Sequence, residues 1–439
     1  MKVKKRLFPI LLLLLLTVLT LASCGEKAPK MTINVYNWGE YISDGSYGEL
    51  DSNKAFEEYF NTEIQSDGRT LAEKYGFEIE VSYSTYATNE DMYSKLTSGA
   101  GSYDVVVPSD YMIEQMINAN MLLPLDFGII KNYSYISEDF KGESVYYDPD
   151  NLYSVPYTYG MTGIIYNTAL VDEEDIDGSW SLLWNEKYKG KILQFNNPRD
   201  AFGSAMYLLG INVNSTSDAD WQTALAKLSE QKPLIQAYVN DEIYNKMTTA
   251  SAAIAPYFAG DYVTMAEQNE DLAFYYPKEG VNYFVDAFCI PKSSKHPDVA
   301  CEYINFMLSE EPAVANAKYI GYASPNELVK NNADYIDYMG EDAMAILYDT
   351  PPSVINESYN KSFGTACYRS LEVLGIQDKV NTLWESLKTE NATELWIHVT
   401  CIVIVGGVLA LGIYTVYIRK KRSRHYRLRD REQKAVKSK

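Results

Sequence analysis

The sequence predicts an α/β fold on a mostly parallel sheet, set between two membrane-directed ends. Three observations lead there. Segments alternating with period two and rich in β-formers take turns with segments of helical spacing over most of the chain. The N-terminus, "MKVKKRLFPILLLLLLTVLTLASCG", is a basic patch followed by an apolar run and small residues. Residues 396–418 are uncharged and largely apolar, long enough to cross a bilayer, and are followed by "RKKRSRHYRLRDREQK".

The elements follow in order. Residues 1–23 are expected to be a signal peptide. "LASC" resembles the bacterial lipobox, which makes Cys24 the lipidated N-terminus of a tether over 24–30. "MTINVYNW" reads as a strand. "NKAFEEYFNTE" and "RTLAEKYG" have helical spacing, the latter stopping at Gly76. "FEIEVSYST" is again a strand, and "NEDMYSKLTSGAG" is a helix capped at Asn89. "YDVVVPS" is a short apolar strand, and "DYMIEQMINANML" a helix. Further on, "NLYSVPYTYGMTGIIYN" reads as two strands around a glycine. "SWSLLWNEKYKGKILQF" reads as a helix and a strand, and "DADWQTALAKLSEQKP" as a helix. "ASAAIAPYFAGDYVTMAEQ" runs from strand to helix, and "LAFYYPKEGVNYFVDAFCIPK" is strand, turn and strand. "PDVACEYINFMLSEEPAVANAKYIG" is an amphipathic helical stretch. The positive-inside rule puts the basic tail 419–439 in the cytoplasm and the body of the protein outside.

Charge narrows the function. The formal total is −20, yet the leader and the tail are both strongly basic, so the exported body is very acidic. Such a body argues against nucleic acid as a partner and favours cations. Cys289, Cys301 and Cys367 have no metal-type spacing, and His296, His398 and His425 form no cluster. No G-x-S-x-G, phosphate-cradling loop or metal-ligand spacing is present. The expectation is therefore a binding protein, not an enzyme, with no cofactor and no metal.

One residue stands out. Asp286 lies in "YFVDAF", an otherwise apolar strand, and a buried carboxylate without a partner is costly. Ligands of open α/β sheets bind beyond the carboxyl ends of strands. That rule selects Trp38 to Tyr41, Ser109 to Tyr111, Asn197 to Asp200 and Phe258 to Asp261, a set rich in rings and acids.

At these residues the chain resembles the polyamine-binding (spermidine/putrescine-binding) component of bacterial ABC importers. Six motifs carry the resemblance in order: "YNWGEYI", "STYATNEDMYSKL", "YDVVVPSDYMIEQM", "VPYTYGMTGIIYN", "FVDAFCIPK" and "YIGYASPN". They span roughly residues 33–387. The resemblance implies a two-lobed periplasmic-binding-protein fold of type II, plus the C-terminal transmembrane helix. Lobe 1 would hold 31–155 with a return segment at about 286–345, and lobe 2 would hold 156–285 with about 346–390. It implies a polyamine ligand, permease and ATPase partners, and contact with membrane lipid through the anchors. It also implies site residues: Trp38, Tyr41, Ser109, Tyr111, Phe258, Phe284, Asp286 and Tyr322, with Asn197, Asp200, Asp261 and Glu357. Aromatic rings would wall the methylene chain and carboxylates would hold the ammonium groups.

This chain departs from the family pattern in places. Asn197 in "FNNPRDAF" stands where the family usually has aspartate, and Phe258 and Phe284 stand where it often has tryptophan. A longer insert, "SDGSYGELDSNKAFEEYFNTEIQSDGRT", is expected to add a helix near the cleft mouth. Other readings stay open at this point: a receptor for another small organic cation, an amino acid or iron, or a membrane-anchored ligand sensor.

Overall fold

The computed structural model describes residues 29–142, 145–350, 352–389 and 393–436. The expected signal peptide and Cys24 lie outside them. Two compact units divide the chain after Val380.

The first unit is built on nine strands. β1 (Lys30–Trp38), β2 (Glu78–Tyr86) and β3 (Val105–Val106) form a parallel group. β5 (Ile192–Phe195), β6 (Ile235–Val239) and β7 (Ile254–Phe258) form a second parallel group. Between them run β4 (Ser154–Asn167) and β9 (Tyr283–Cys289), antiparallel to each other and to their neighbours; β8 (Leu272–Tyr275) also pairs antiparallel with β4. The order is β2-β1-β3-β9-β4-β7-β5-β6. The sheet is thus mixed, parallel only in its wings. The expectation of a mostly parallel sheet fails at the middle, where the chain passes from one wing to the other and back.

β4 makes that passage. Its first half pairs with β9 and its second half with β7 and β8. The sequence reading split it into two strands around a glycine, but the structure keeps one strand of 14 residues. The break in regularity comes earlier, where the register with β9 shifts between Pro156 and Thr158. Proline has no N–H to give to a ladder, so a bulge there is expected.

Alternation explains the cores of the first wing. Ile33, Val35, Val105, Val107 and Phe288 point to one face, joined there by Phe56 and Phe60. Tyr36, Val106, Val285, Ala287 and Cys289 point to the other, against Met112, Ile113 and Met116. Two covered faces are what parallel strands require. The helix Ser52–Thr62 supplies Phe56 and Phe60, with Asp51 as its N-cap accepting from Lys54 N–H at 3.0 Å. This is the helix of the insert. Phe56 and Phe60 anchor it in the core, while its cap Asp51 and its Glu57 line a groove that also holds Tyr41.

Local corrections have simple causes. Thr88, not Asn89, caps the helix Asn89–Thr97, accepting from Asp91 N–H at 3.0 Å. The stretch expected as a helix before β5 forms two short 3₁₀ turns, Trp180–Trp184 and Glu186–Tyr188. The long amphipathic stretch is two helices, Pro297–Met307 and Glu310–Ile320, broken at Leu308 and Ser309. Cys289, Cys301 and Cys367 are free thiols.

The second unit contains the 44-residue helix Thr393–Val436. Within it, Ile402–Ser423 is long and apolar enough to cross a membrane. This overlaps the span expected at 396–418.

Candidate ligand-binding site

β9 delivers Asp286 to the crossing. Val285 and Ala287 enter the core on one face, so Asp286 projects to the other, opposite Thr158 of β4. The carboxylate is only 4% exposed. Its oxygens accept from the Tyr41 hydroxyl at 2.6 Å and the Ser109 hydroxyl at 2.6 Å. Tyr41 Oη also lies 2.8 Å from Thr158 Oγ1. Among the described residues no lysine or arginine forms an ion pair with Asp286. Burial pushes its pKa up to about 6, while the two hydroxyls hold it down.

The geometry around Ser109 shows why its hydroxyl is free for this. Ser109 is the N-cap of the helix Asp110–Asn118 but makes no side-chain capping bond. Asn89, relieved of capping by Thr88, holds it instead. Asn89 Nδ2 donates to Ser109 Oγ at 3.1 Å and to Tyr111 Oη at 3.0 Å, and Ser109 N–H donates to Asn89 Oδ1 at 3.2 Å. Tyr111 Oη in turn donates to Glu90 Oε1 at 3.1 Å.

A second carboxylate, Asp261, opens the helix Ala259–Ala266 directly after β7. It accepts from the Tyr244 hydroxyl at 2.7 Å and from the Tyr322 hydroxyl. Burial lifts it to about 6 against those two bonds. Rings join the two acids. Centroids lie 5.8 Å apart for Tyr41–Tyr322, 6.0 Å for Phe284–Tyr322, 5.4 Å for Phe258–Phe284 and 6.5 Å for Trp38–Tyr41. Most of these pairs are edge-on, the favourable arrangement for aromatic quadrupoles. Gly160 and Gly260 make the seating possible. A Cβ at Gly160 would stand 2.8 Å from the Phe284 ring, and one at Gly260 2.7 Å from the Tyr322 ring.

The third acid, Asp200, follows β5 on the helix Pro198–Leu209 and is 6% exposed. Burial raises it to about 7, while the Tyr368 hydroxyl and the Arg199 guanidinium pull it down and Glu90 pushes it up. Asn197 is the N-cap of that helix, its side chain accepting from Arg199 N–H at 2.7 Å. That bond is structural.

The structure therefore gathers Trp38, Tyr41, Ser109, Phe258, Asp261, Phe284, Asp286 and Tyr322 into one cluster. Tyr111 and Asp200 form its flank, linked through Glu90 and Asn89. Glu357 opens the helix Glu357–Phe363 and is exposed. Among the described residues no hydrogen bond or ion pair joins it to the cluster. Sequence reasoning missed Asn89, Glu90, Thr158, Tyr244, Tyr368 and the two glycines. Gly160, a glycine inside a strand, is a readable sign of close approach, but Gly260 in its helix and the others become visible only once the chain is folded.

A separate groove of about 400 Å³ is lined by Glu40, Asp44, Asp51, Glu57, Tyr83 and Tyr319 among others, and shares Tyr41 with the cluster. Its Asp51 is already paired with Lys54 at 2.7 Å. Asp286 of the cluster, by contrast, is buried, Asp261 is half-buried, and neither forms an ion pair among the described residues.

The chain is similar to known proteins. The family model for bacterial extracellular solute-binding proteins matches residues 69–340. The spermidine/putrescine-binding periplasmic protein of Escherichia coli (strain K12) is 31% identical over 305 residues, covering 69% of this chain and 80% of that protein. The spermidine/putrescine ABC transporter substrate-binding protein PotD of Streptococcus pneumoniae is 31% identical at a TM-score of 0.62, covering 82% of this chain and 100% of its own. The TpPotD lipoprotein of Treponema pallidum is 26% identical at a TM-score of 0.60, covering 77% of this chain and 100% of its own.

Proposed function

The chain belongs to the family of bacterial extracellular solute-binding proteins, in the branch of the spermidine/putrescine-binding proteins, and from that premise we propose that it captures a polyamine and delivers it to an ABC importer. One observation carries the reading: Asp286 is buried among rings and, among the described residues, its side chain is held by hydroxyl groups and by no cation. A polyamine supplies what is missing. One ammonium donates a charge-assisted hydrogen bond to Asp286. The methylene chain lies against Phe284, Phe258, Tyr322 and Trp38, where each cation–π contact adds about 0.5–2 kcal/mol. Further ammonium groups find Asp261 or Asp200.

The two wings of the sheet serve as lobes in this reading, 31–155 with about 286–345 and 156–285 with about 346–390. β4 and β9 act as the crossing strands. A dication touching acids from both lobes binds the closed form better than the open one, so it shifts the population toward closure. The permease and ATPase subunits are the partners that read the closed form. Lipid on Cys24 and the span at 396–418 hold the receptor at the outer face of the membrane, with 419–439 inside. The apolar length of Ile402–Ser423 and the lipoprotein among the relatives support that anchoring.

Iron is the less favoured cargo. Tyr244 and Tyr322 flank Asp261, but burial raises both phenols, which donate to the carboxylate rather than offering phenolate to a metal. Titration of the full chain in detergent with putrescine, spermidine, glutamate and ferric citrate tests the proposal. Saturable binding of a polyamine is the expected result. Binding of glutamate or iron with none of either amine overturns it.

A further inference from the structure

Resting on the polyamine reading, we propose that Asn282 selects ligand length: its amide oxygen accepts from the far amine of a triamine such as spermidine, while Asp286 holds the near one. Asn282 lies one residue before β9, and the ladder with β4 runs on to include it. Thr162 N–H donates to Asn282 O at 3.0 Å, and Asn282 N–H donates to Thr162 Oγ1 at 3.1 Å. These bonds continue the register in which Asp286 lies opposite Thr158 and Phe284 opposite Gly160. Side chains alternate along a strand, so Asn282, Phe284 and Asp286 share one face. Tyr283, Val285 and Ala287 pack on the other. The row also runs sideways. Thr162 is paired on its other flank with Phe258 of β7, whose ring meets Phe284 at 5.4 Å. Asn282 therefore ends the wall that begins at Asp286, with Phe284 between them.

At that end the side chain offers an acceptor with nothing to accept. Asn282 is 5% exposed, and its Oδ1 is buried without a hydrogen-bond partner among the described residues. A buried carbonyl left unpaired is costly, and native folds seldom keep one without a use for it. Three other buried side-chain atoms share that state: Asn167 Nδ2, Arg199 Nε and Asn360 Oδ1. The first two are donors, which an ammonium group cannot satisfy, and Asn360 stands on the helix Glu357–Phe363, outside the β9 row. An ammonium group donates and never accepts, so a polyamine supplies what Asn282 Oδ1 lacks. Spacing then sorts the amines. Four residues of extended strand put Asn282 about 13 Å from Asp286. The terminal amines of an extended spermidine come close to that separation, whereas those of putrescine reach about half of it. The methylenes between pass over Phe284. Being neutral, the amide stays empty under the shorter diamine at far less cost than an ionised acid would.

The test is calorimetric titration of the full chain, unaltered and as Asn282→Leu, with putrescine and with spermidine, beside thermal unfolding of each empty protein. Leucine keeps the shape of asparagine and removes the acceptor. Spermidine affinity should fall about tenfold in the variant, because a hydrogen bond to a charged group is lost, while putrescine affinity stays within about twofold. The empty variant should unfold at the same temperature as the unaltered protein or higher, because no polar atom is left buried and unpaired. An equal loss for both amines, no loss for spermidine, or a lower unfolding temperature for the empty variant means that the amide serves the fold alone, and overturns the proposal. Putrescine binding without spermidine binding by the unaltered chain also overturns it and leaves the polyamine reading standing. If the unaltered chain binds neither amine, the polyamine reading itself falls and takes this inference with it.

Discussion

Replacing Asp286 with asparagine should weaken ligand binding and strengthen the empty protein. Burial raises the Asp286 carboxyl from 3.8 to about 6. A shift of that size corresponds to about 3 kcal/mol. The sign follows from proton counting. Between pH 4 and 6 the folded protein keeps a proton that the unfolded chain has lost, so stability falls as pH rises through that window and stays lower above it. Asparagine has no charge to desolvate, and the Tyr41 and Ser109 hydroxyls can turn to accept as well as donate. The variant should therefore gain up to about 3 kcal/mol at pH 7 and nothing near pH 3.5, where the native carboxyl is already neutral. Putrescine or spermidine affinity should drop at least tenfold, because a charge-assisted bond is lost. Denaturant unfolding at the two pH values, with and without amine, measures both effects. A variant that is no more stable than the native chain at pH 7, or one that binds amines unchanged, would refute the reasoning.

Other expectations concern shape, charge and anchoring. Gly260→Ala places a methyl group 2.7 Å from the Tyr322 ring; it should destabilise the fold by about 1–3 kcal/mol and cut amine affinity, read by calorimetry. Asn197→Asp keeps a good helix cap and adds a carboxylate beside Asp200; the ratio of spermidine to putrescine affinity should rise, and an unmoved ratio would leave position 197 a cap alone. Deleting 396–439 should leave amine affinity unchanged, and only its combination with Cys24→Ser should release the protein from membranes in a fractionation assay. A large affinity loss on deletion would contradict an anchoring role.

The chemistry of the site was legible where it is written in residue type. Asp286 betrayed itself by lying in an apolar strand, and the rings and acids at the ends of β1, β5 and β7 follow from the rule for open sheets. The crossing was less legible. The glycines of "YTYGMTGIIYN" suggested a break between two strands, whereas Gly160 is a gap left for Phe284 and Tyr322 inside one continuous strand. Asn89 looked like a helix cap because Asn caps helices; Thr88 does so instead, and Asn89 is thereby available to hold Ser109. Glu357 came from the resemblance, and the structure leaves it exposed at the start of its helix. Such contacts join residues from 20 to more than a hundred positions apart, and no local pattern encodes them.

Counting protons during binding tests the central claim most directly. Calorimetric titration of the full chain with putrescine at pH 6, in two buffers of different ionisation enthalpy, gives the number released. Acids that are part-protonated when empty must ionise to hold an ammonium group, so release on the order of one proton is expected, and less in Asp286→Asn. Tight binding with no release, identical in that variant, would mean the cation goes elsewhere.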